Sequence, residues 1–141
     1  MGHVVHIERI GAGAANSTEA RNAALVRKIF TGFSVAEFNH LYENMNDPTA
    51  VTVIGLDFKR LGKWAQDPNF VPKVFSNGMT FEILESAVDG DTVFVEWHDS
   101  AETSTGKTYE NDGLSVFKFD NQGKIDSYHE YFDPEKFYEV L

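Results

Sequence analysis

The first third of the chain carries apolar residues at helical spacing. Leu25, Ile29 and Phe33 recur every fourth residue, and Thr18 stands where a helix cap is expected. Apolar residues at this spacing form one stripe on an α-helix, and threonine satisfies free backbone N–H groups at a helix start. The pattern therefore predicts a first helix over residues 18–33.

Two further helices are predicted before residue 70. Ser34 and Glu37 form the capping-box pattern S-x-x-E, which starts a second helix. The apolar stripe of that second helix consists of Val35, Phe38, Leu41, Tyr42 and Met45. Asp57 is the expected cap of a third helix, which the Asp67-Pro68 pair ends. The side chains predicted to face inward from it are Phe58, Leu61 and Trp64.

From residue 78 to residue 132 the pattern changes to strict alternation of apolar and polar positions. Four such runs are separated by the turn sequences VDGD, STGK and DNQG. They predict an antiparallel meander of long strands. AVTVIG (50–55) is a further short strand, and Asp133-Pro134 starts a short last helix. Helices first and strands later indicate an α+β fold, with the helices covering one face of a curved sheet.

The N-terminal residues stand apart from this pattern. VVHIERI can pair as a strand, but GAGAANS after it is typical of a flexible joint. We therefore expect residues 1–16 to be a flexible lead-in that the fold does not need. Residues 17–141 have a suitable length for a single domain.

Charge and composition narrow the function. The net charge is −10, from 12 basic and 22 acidic residues, and no cysteine is present. The acidic balance argues against nucleic acid and anionic membrane as partners, and the lack of cysteine excludes disulfides and zinc–sulfur sites. No apolar run approaches the roughly 18 residues of a membrane span, and no secretion-signal pattern is seen. We expect a soluble, cytoplasmic protein.

A carboxylate interrupts an aromatic row near the end of the chain. Alternation puts Glu130 on the same strand face as Tyr128 and Phe132. Counting back from the turns aligns Glu130 with Trp97 and Gly113 on the two preceding strands. The neighbouring rows are then Asp99–Asn111–Phe132 and Val95–Ser115–Tyr128. A glycine between a tryptophan and a glutamate leaves space, so this row predicts a hollow with a carboxylate in its wall.

Glu130 is the strongest candidate for chemistry. Desolvation in an apolar wall raises the pKa of a carboxyl group, which then can act as a general base or acid near neutral pH. The alternative is a structural glutamate that is hydrogen-bonded to Tyr42 or Asn111. Asp99 is either the partner acid or a solvated residue. The candidate ligand-binding residues are Trp97, Asn111, Ser115, Tyr128, Phe132, Tyr42 and Trp64.

The order of elements, and above all the pattern G-K-I-x-x-x-x-E-Y-F-D at 123–133, resembles the nuclear transport factor 2-like superfamily. This group includes ketosteroid isomerases, SnoaL-like polyketide cyclases, scytalone dehydratase and limonene-1,2-epoxide hydrolase. The resemblance covers residues 18–141 in layout and 91–139 in sequence. It implies a cone-shaped sheet of about four to six antiparallel strands around three N-terminal helices, an apolar pocket and a homodimer.

The best local match is to limonene epoxide hydrolase, across VFVEWHD, TGKTY, LSVFKF and GKIDSYHEYFD. That enzyme's aspartate–arginine–aspartate set falls on Glu130 and Asp99 for the acids and on Trp97 for the arginine. Its water-holding tyrosine and asparagine have no counterpart in AVTVIG. Without the arginine, the resemblance does not imply epoxide hydrolysis.

The catalytic apparatus of ketosteroid isomerase fits less well. Its oxyanion tyrosine falls near Val26, and its oxyanion carboxylic acid falls on Ser115. Its basic aspartate falls on an apolar position near Val53 or Ile54. The resemblance therefore does not imply steroid isomerisation by that apparatus.

The opposite face of the sheet carries Glu96, His98 and His129, three side chains that are able to bind a metal ion. The resemblance favours a homodimer contact on this face instead. The apolar residues expected to form that contact are Phe94, Leu114, Val116 and Tyr131. We expect no metal.

The function that follows is a cofactor-free isomerase, lyase, cyclase or hydrolase. It would act on a small, largely apolar molecule by carboxylate acid–base chemistry. A non-catalytic protein that binds a small molecule in the same pocket is one alternative, and a structural module with a filled pocket is another. Turnover alone separates the enzyme from the binding protein.

Overall fold

Six strands form one curved sheet in a computed structural model that describes residues 3–31 and 39–141. The order of strands across the sheet is β1-β3-β4-β5-β6-β2. The strands are β1 His3–Val5, β2 Val51–Ile54, β3 Thr80–Asp89, β4 Thr92–Glu102, β5 Thr108–Phe119 and β6 Ile125–Phe132. The α-helices are α1 Ser17–Thr31, α2 Asn39–Tyr42, α3 Phe70–Val74 and α4 Pro134–Tyr138. The predicted α+β class is confirmed.

The central strands β3 to β6 form the predicted antiparallel meander. The two edge strands differ from the prediction, because β1 pairs with β3 in parallel and β2 pairs with β6 in parallel. Hairpin connections produce antiparallel neighbours, whereas a strand that returns by a long crossover can pair in parallel. Both edge strands enter the sheet by such long connections.

Helix α1 covers the inner face of the sheet much as its apolar stripe predicts. Val26, Ile29 and Phe30 are fully buried. The ring of Phe30 meets those of Phe81 and Phe117 edge to face, each at a centroid distance of 6.1 Å.

No helix within the described part of the chain is long and apolar enough to cross a membrane. Three predictions lie outside the described residues: the helix end at Phe33, the Ser34–Glu37 capping box, and the inward placement of Val35 and Phe38.

The third predicted helix is a 3-10 helix, Phe58–Gln66, capped by the side chain of Asp57. It is broken at Gly62, whose φ of 60° lies in the left-handed region that glycine tolerates. Leu61 is buried as expected, but Phe58, at the first helical position, is 65% exposed. The inward placement of Phe58 was therefore wrong. After Pro68, residues Phe70–Val74 form helix α3.

The N-terminal segment packs on the body of the protein. Strand β1 extends the sheet, and Ile10 is fully buried in the core. Arg27 Nη1 donates a hydrogen bond to the Ile10 carbonyl at 2.7 Å. Gly11 turns the chain at a φ of 83°, with its backbone so close to Ala23 that a Cβ would lie 2.4 Å from the Ala23 Cβ. Residues 3–11 are thus not the flexible lead-in that the glycines suggested, because Gly11 makes a close contact with α1.

The last strand is shifted by two residues from the predicted register. Gly113 lies opposite Phe132, Ser115 opposite Glu130, and Phe117 opposite Tyr128. A bulge beside Phe119 adds a residue, and the turn before β6 is longer than the count assumed. An even shift keeps every side chain on its predicted face. The predicted alignment of Trp97 with Gly113 on the preceding pair of strands is confirmed.

Because Ile10 is a core residue, we predict that Ile10→Ala lowers the melting temperature by on the order of 10 °C. Such truncations cost about 2–5 kcal/mol, and each kcal/mol shifts the midpoint by several degrees. Removal of residues 1–16 should lower it at least as much. The matched control is Ile54→Ala, at a residue that is 37% exposed. Equal melting temperatures for the two single variants, measured by circular dichroism, would contradict the packing described for Ile10.

Candidate active site

A cavity of about 170 Å³ lies between the inner face of the sheet and the chain segments around α3 and α4. Its walls are mostly aromatic and aliphatic, with three groups that can ionise: Asp99, Tyr109 and Glu130. The apolar lining residues are Val53, Leu56, Phe70, Val71, Phe75, Met79, Phe81, Trp97, Phe132 and Phe137. No lysine, arginine or histidine is among these lining residues, all of which belong to the described ranges.

Strand alternation places the polar groups of the cavity. Asp99 lies two residues after Trp97 on β4, and Glu130 two residues before Phe132 on β6, so each carboxyl shares the inner face with an aromatic ring. Tyr109 lies on the inner face of β5. In antiparallel neighbours, residues of one face stand side by side. Three adjacent strands therefore bring all three ionisable groups to one wall.

Glu130 is held by its neighbour on the same strand. The Tyr128 hydroxyl donates a hydrogen bond to Glu130 Oε1 at 2.7 Å. Burial raises the pKa of the Glu130 carboxyl, and the hydrogen bond from Tyr128 opposes that rise. The structural partner of Glu130 is thus Tyr128, rather than the Tyr42 or Asn111 that sequence suggested.

Asp99 is buried without the hydrogen-bond donor that Glu130 has. Its side chain belongs to a residue that is 4% exposed, and its Oδ1 has no hydrogen-bond partner among the described residues. Burial, followed by the negative charge of Glu130, raises the pKa of Asp99 to about 8. The solvated position that sequence left open for Asp99 is therefore wrong. Near neutral pH, Asp99 keeps its proton.

Tyr109 and Asn111 connect the cavity to the start of α4. Asn111 donates one hydrogen bond to the Tyr109 hydroxyl and another to the Asp133 carbonyl, both at 2.9 Å. It accepts a third from the Asp133 backbone N–H at 3.1 Å. Burial, then the charge of Asp99, raises the pKa of Tyr109, which therefore stays a neutral phenol. Asn111 fixes the end of β6 against β5 and does not line the cavity.

The hollow predicted beside Gly113 is filled. A Cβ placed on Gly113 would lie 2.2 Å from Cη2 of Trp97, so the indole ring occupies the space that the glycine leaves. Glycine permits this close approach of a neighbouring group to the strand backbone. The open space lies farther toward α3 and α4, so Glu130 lines a cavity as predicted, but not the hollow expected beside Gly113.

Four of the nine candidate site residues line the cavity: Glu130, Asp99, Trp97 and Phe132. The other five have different positions. Ser115 and Tyr128 are fully buried behind Trp97, and Asn111 is 1% exposed. Trp64 packs in a second apolar cluster around Leu61. Tyr42 is 41% exposed and outside the lining, although the charge of Glu130, after burial, raises the pKa of its phenol.

Most cavity-lining residues outside the sheet were not predicted from the sequence. Phe70 and Val71 lie on α3, Phe75 directly follows α3, and Phe137 lies on α4. No local sequence pattern shows that these short segments pack against each other. Tyr109 was within reach of the same alternation that found Asn111, because the two lie two residues apart on one strand face.

The outer face of the sheet does not gather the three residues considered for a metal. Glu96 is opposite Leu114, and His129 is opposite Val116. His98 Nδ1 lies 2.7 Å from Asp112 Oδ1, and this hydrogen bond is the main reason that the pKa of His98 is raised. Across residues 3–31 and 39–141, no group of three His, Asp or Glu side chains is arranged to hold a metal ion.

The sheet, the helices on its inner face and the enclosed cavity define a protein with the nuclear transport factor 2-like fold, as the resemblance implied. Residues 69–128 match the SnoaL-like domain family. No curated protein matches this chain.

Solved structures of this fold are similar to the chain at low sequence identity. A nuclear transport factor 2-like protein from Anabaena variabilis is 18% identical, with a TM-score of 0.63, and covers 86% of this chain and 96% of its own. An epoxide hydrolase from M. tuberculosis, similar to limonene epoxide hydrolase, is 17% identical with a TM-score of 0.58, covering 86% and 90%. TerC, co-crystallized with polyporic acid, is 18% identical with a TM-score of 0.65, covering 85% and 97%. These likenesses establish the fold alone.

Burial of Asp99 makes stability depend on pH. The folded chain keeps the Asp99 proton up to about pH 8, whereas an exposed aspartate loses it near pH 4. Between these values the folded state binds the extra proton, so this group's contribution to stability falls as pH rises. We predict that the melting temperature of Asp99→Asn, relative to that of the parent, increases as the pH rises from about 5 to about 9.

The control for this measurement is Asp91→Asn, at an exposed turn residue. Its melting temperature should follow that of the parent across the same pH range. Parallel curves for Asp99→Asn and the parent would show that Asp99 is not a buried proton holder.

Proposed function

We propose that this chain is a cofactor-independent enzyme that binds a small, largely apolar molecule in the cavity and moves protons with Glu130 and Asp99. One observation supports it above all: two carboxyl groups on the wall of one apolar cavity have different hydrogen-bond environments. Pairs of titratable groups whose surroundings separate their pKa values are the usual basis of acid–base roles.

Glu130 is the proposed base and Asp99 the proposed acid. The Glu130 carboxylate accepts a proton from a carbon, or from a water, of the bound substrate complex, while the Asp99 carboxylic acid gives its proton to a substrate oxygen. The pair carries one negative charge before the step and one after it. Because that total is unchanged, the apolar cavity does not have to accommodate an additional charge. Passing the proton from Glu130 to product or solvent, and returning one to Asp99, closes the cycle.

Tyr109 supports the acid side of this chemistry. Its oxygen accepts the Asn111 amide hydrogen, so its own phenol proton is available for donation. The tyrosine and Asp99 both line the cavity, and the charge of an ionised Asp99 would raise the pKa of Tyr109 further. We assign Tyr109 a role in orienting the substrate oxygen toward Asp99.

The cavity limits the ligand by size and charge. Its volume is about 170 Å³, and an apolar cavity of about 150 Å³ accommodates one benzene molecule. The bound part of the ligand is therefore about one ring in size. With two carboxyl groups and no cation among the lining residues, the cavity disfavours an anionic group. Neutral molecules with a carbonyl, ether or ester oxygen fit best.

The reaction remains a proton transfer that leads to isomerisation, elimination, cyclisation or hydrolysis. Epoxide opening by the apparatus of the limonene epoxide hydrolases is not proposed, because Trp97 occupies the arginine position and its indole N–H is directed to Ser115 at 2.9 Å. The similar epoxide hydrolase from M. tuberculosis and the co-crystallized TerC support a small organic ligand by analogy of fold.

The proposal predicts that Glu130→Gln lowers turnover by about a hundredfold or more, the usual scale for a general base. The amide oxygen of glutamine still accepts the Tyr128 hydrogen bond, so the melting temperature should stay at or above that of the parent. The assay follows a panel of ring-sized ketones, lactones and unsaturated esters by mass spectrometry.

The matched control is Glu96→Gln, an identical change at an exposed residue of the outer face. Turnover in Glu130→Gln equal to that of this control would remove the base role. Binding of panel members by calorimetry without turnover in the parent would leave a binding protein with this pocket.

We also propose a homodimer through the outer sheet face. Phe94 and Val116 are directly paired across β4 and β5, and Leu114 is paired with Tyr131 across β5 and β6. The first three are half-buried and Tyr131 is 40% exposed. A contiguous apolar group of this kind is typical of a protein interface. The cytoplasmic location stays a prediction.

The dimer proposal predicts that Leu114→Lys gives a monomer, because a charge at the centre of the apolar group cannot be desolvated cheaply. The control Gln122→Lys adds the same charge in the exposed turn before β6. Light scattering after size-exclusion chromatography measures both masses. A dimeric Leu114→Lys would place the contact elsewhere.

A further inference from the structure

Behind the cavity, three hydrogen bonds join four side chains from β4, β5 and β6. Trp97 Nε1 donates to Ser115 Oγ at 2.9 Å. Ser115 Oγ lies 2.9 Å from the Tyr128 hydroxyl. The Tyr128 hydroxyl donates to Glu130 Oε1 at 2.7 Å. We call this series the donor chain.

Every proton in the donor chain points toward Glu130. The indole N–H of Trp97 is a donor only, and the phenol of Tyr128 gives its one proton to the carboxylate. Ser115 must then give its own proton to the Tyr128 oxygen, while its lone pair accepts from Trp97. The series has one direction, and donors aligned in this way polarise one another.

The donor chain is built into the core. Ser115 and Tyr128 are fully buried and Trp97 is 3% exposed. Gly113 makes it possible, since only a glycine lets the Trp97 ring lie against β5. A serine hydroxyl and a phenol buried in an apolar core are costly unless they are hydrogen-bonded. Here both are satisfied, and their last proton is directed to the wall of the cavity.

We propose that Ser115 and Tyr128 are positioning residues that keep Glu130 ionised and fix the direction of its carboxylate, so that Glu130 rather than Asp99 is the base. For its catalytic meaning, this inference rests on the function proposed above. Asp99, two strands away on β4, has no such donor, and its Oδ1 has no partner among the described residues. The two carboxyl groups thus differ by one phenol donor and the chain behind it.

Within residues 3–31 and 39–141, no other titratable group around Glu130 supplies a positive charge that could stabilise its carboxylate. Tyr42 on α2 and Tyr109 on β5 are neutral phenols, because burial and nearby carboxylates raise the pKa of each. His98 lies on β4 and lowers the pKa of Asp99, not that of Glu130. The donor chain is therefore the main stabilising influence on the Glu130 carboxylate.

Removal of the phenol should bring the pKa values of the two carboxyl groups closer together. In Tyr128→Phe, the desolvation of Glu130 is no longer opposed, so the pKa of Glu130 rises. A neutral Glu130 no longer repels a charge on Asp99, so the pKa of Asp99 falls. We expect shifts of about one pH unit or more in opposite directions, a tenfold change in each proton affinity.

The test is a ¹³C NMR titration of the side-chain carboxyls in the full chain, which needs no substrate. Tyr131→Phe is the matched control, because it makes the same change on the same strand but on the outer face. The control should reproduce the two titration midpoints of the parent. Ser115→Ala should shift them in the same directions as Tyr128→Phe but less. It also carries the test if Tyr128→Phe does not fold.

Unchanged midpoints for Glu130 and Asp99 in folded Tyr128→Phe, or in Ser115→Ala, would overturn the positioning role. Opposite shifts support it even if the parent turns over no member of the panel, in which case only the proposed enzyme function is lost. Where turnover is found, the acidic limb of the pH–rate profile should move to higher pH in Ser115→Ala, which a merely structural serine would not cause.

Discussion

The hydrogen bond from the Tyr128 hydroxyl to Glu130 opposes the rise in pKa that burial in an apolar wall causes for this carboxyl group. A carboxylate without such a partner would protonate or destabilise the fold, because transfer of its charge from water costs several kcal/mol. Asp99, a short distance away on the sheet, shows that alternative: its pKa rises to about 8 and it stays neutral. In our proposal the two carboxyl groups differ in protonation because only Glu130 accepts the hydrogen bond of the Tyr128 phenol.

The donor chain that ends at Glu130 depends on the register of strands β4, β5 and β6. Trp97, Ser115 and Tyr128 come from three successive strands, so their hydrogen bonds hold only in one register. Gly113 brings the indole against β5, and the bulge near Phe119 sets the position of β6. The segments around α3 and α4 then add aromatic residues to the opposite wall of the cavity. The contacts of Trp97, Ser115 and Tyr128 therefore both pack the core and position the site.

Much of this arrangement could be predicted from alternation alone. Period-2 parity placed Glu130, Asp99, Trp97 and Phe132 on one face, and the β4–β5 register was right because a simple turn connects these strands. The register of β6 was wrong because a bulge and a longer turn together shift it by two residues without a clear sequence signal. The hollow predicted beside Gly113 was wrong because a missing side chain does not indicate whether a neighbouring side chain fills the space.

Other features depend on tertiary contacts that a local pattern does not contain. The cavity walls from Phe70, Phe75 and Phe137 need the folded positions of two short helices. Ile10 looked like part of a loose segment because glycines follow it, although one of them, Gly11, makes a close contact with α1. The difference between Glu130 and Asp99 was also not predictable, because it depends on a single hydrogen bond between neighbouring side chains of one strand.

The most direct test of this account is a neutron diffraction structure of a deuterated crystal at about pH 7, which locates the protons of both carboxyl groups. The account predicts deuterium on the Asp99 carboxyl, none on Glu130, and the Tyr128 hydroxyl deuterium directed at Glu130 Oε1. Deuterium on Glu130, or two ionised carboxylates, would contradict it.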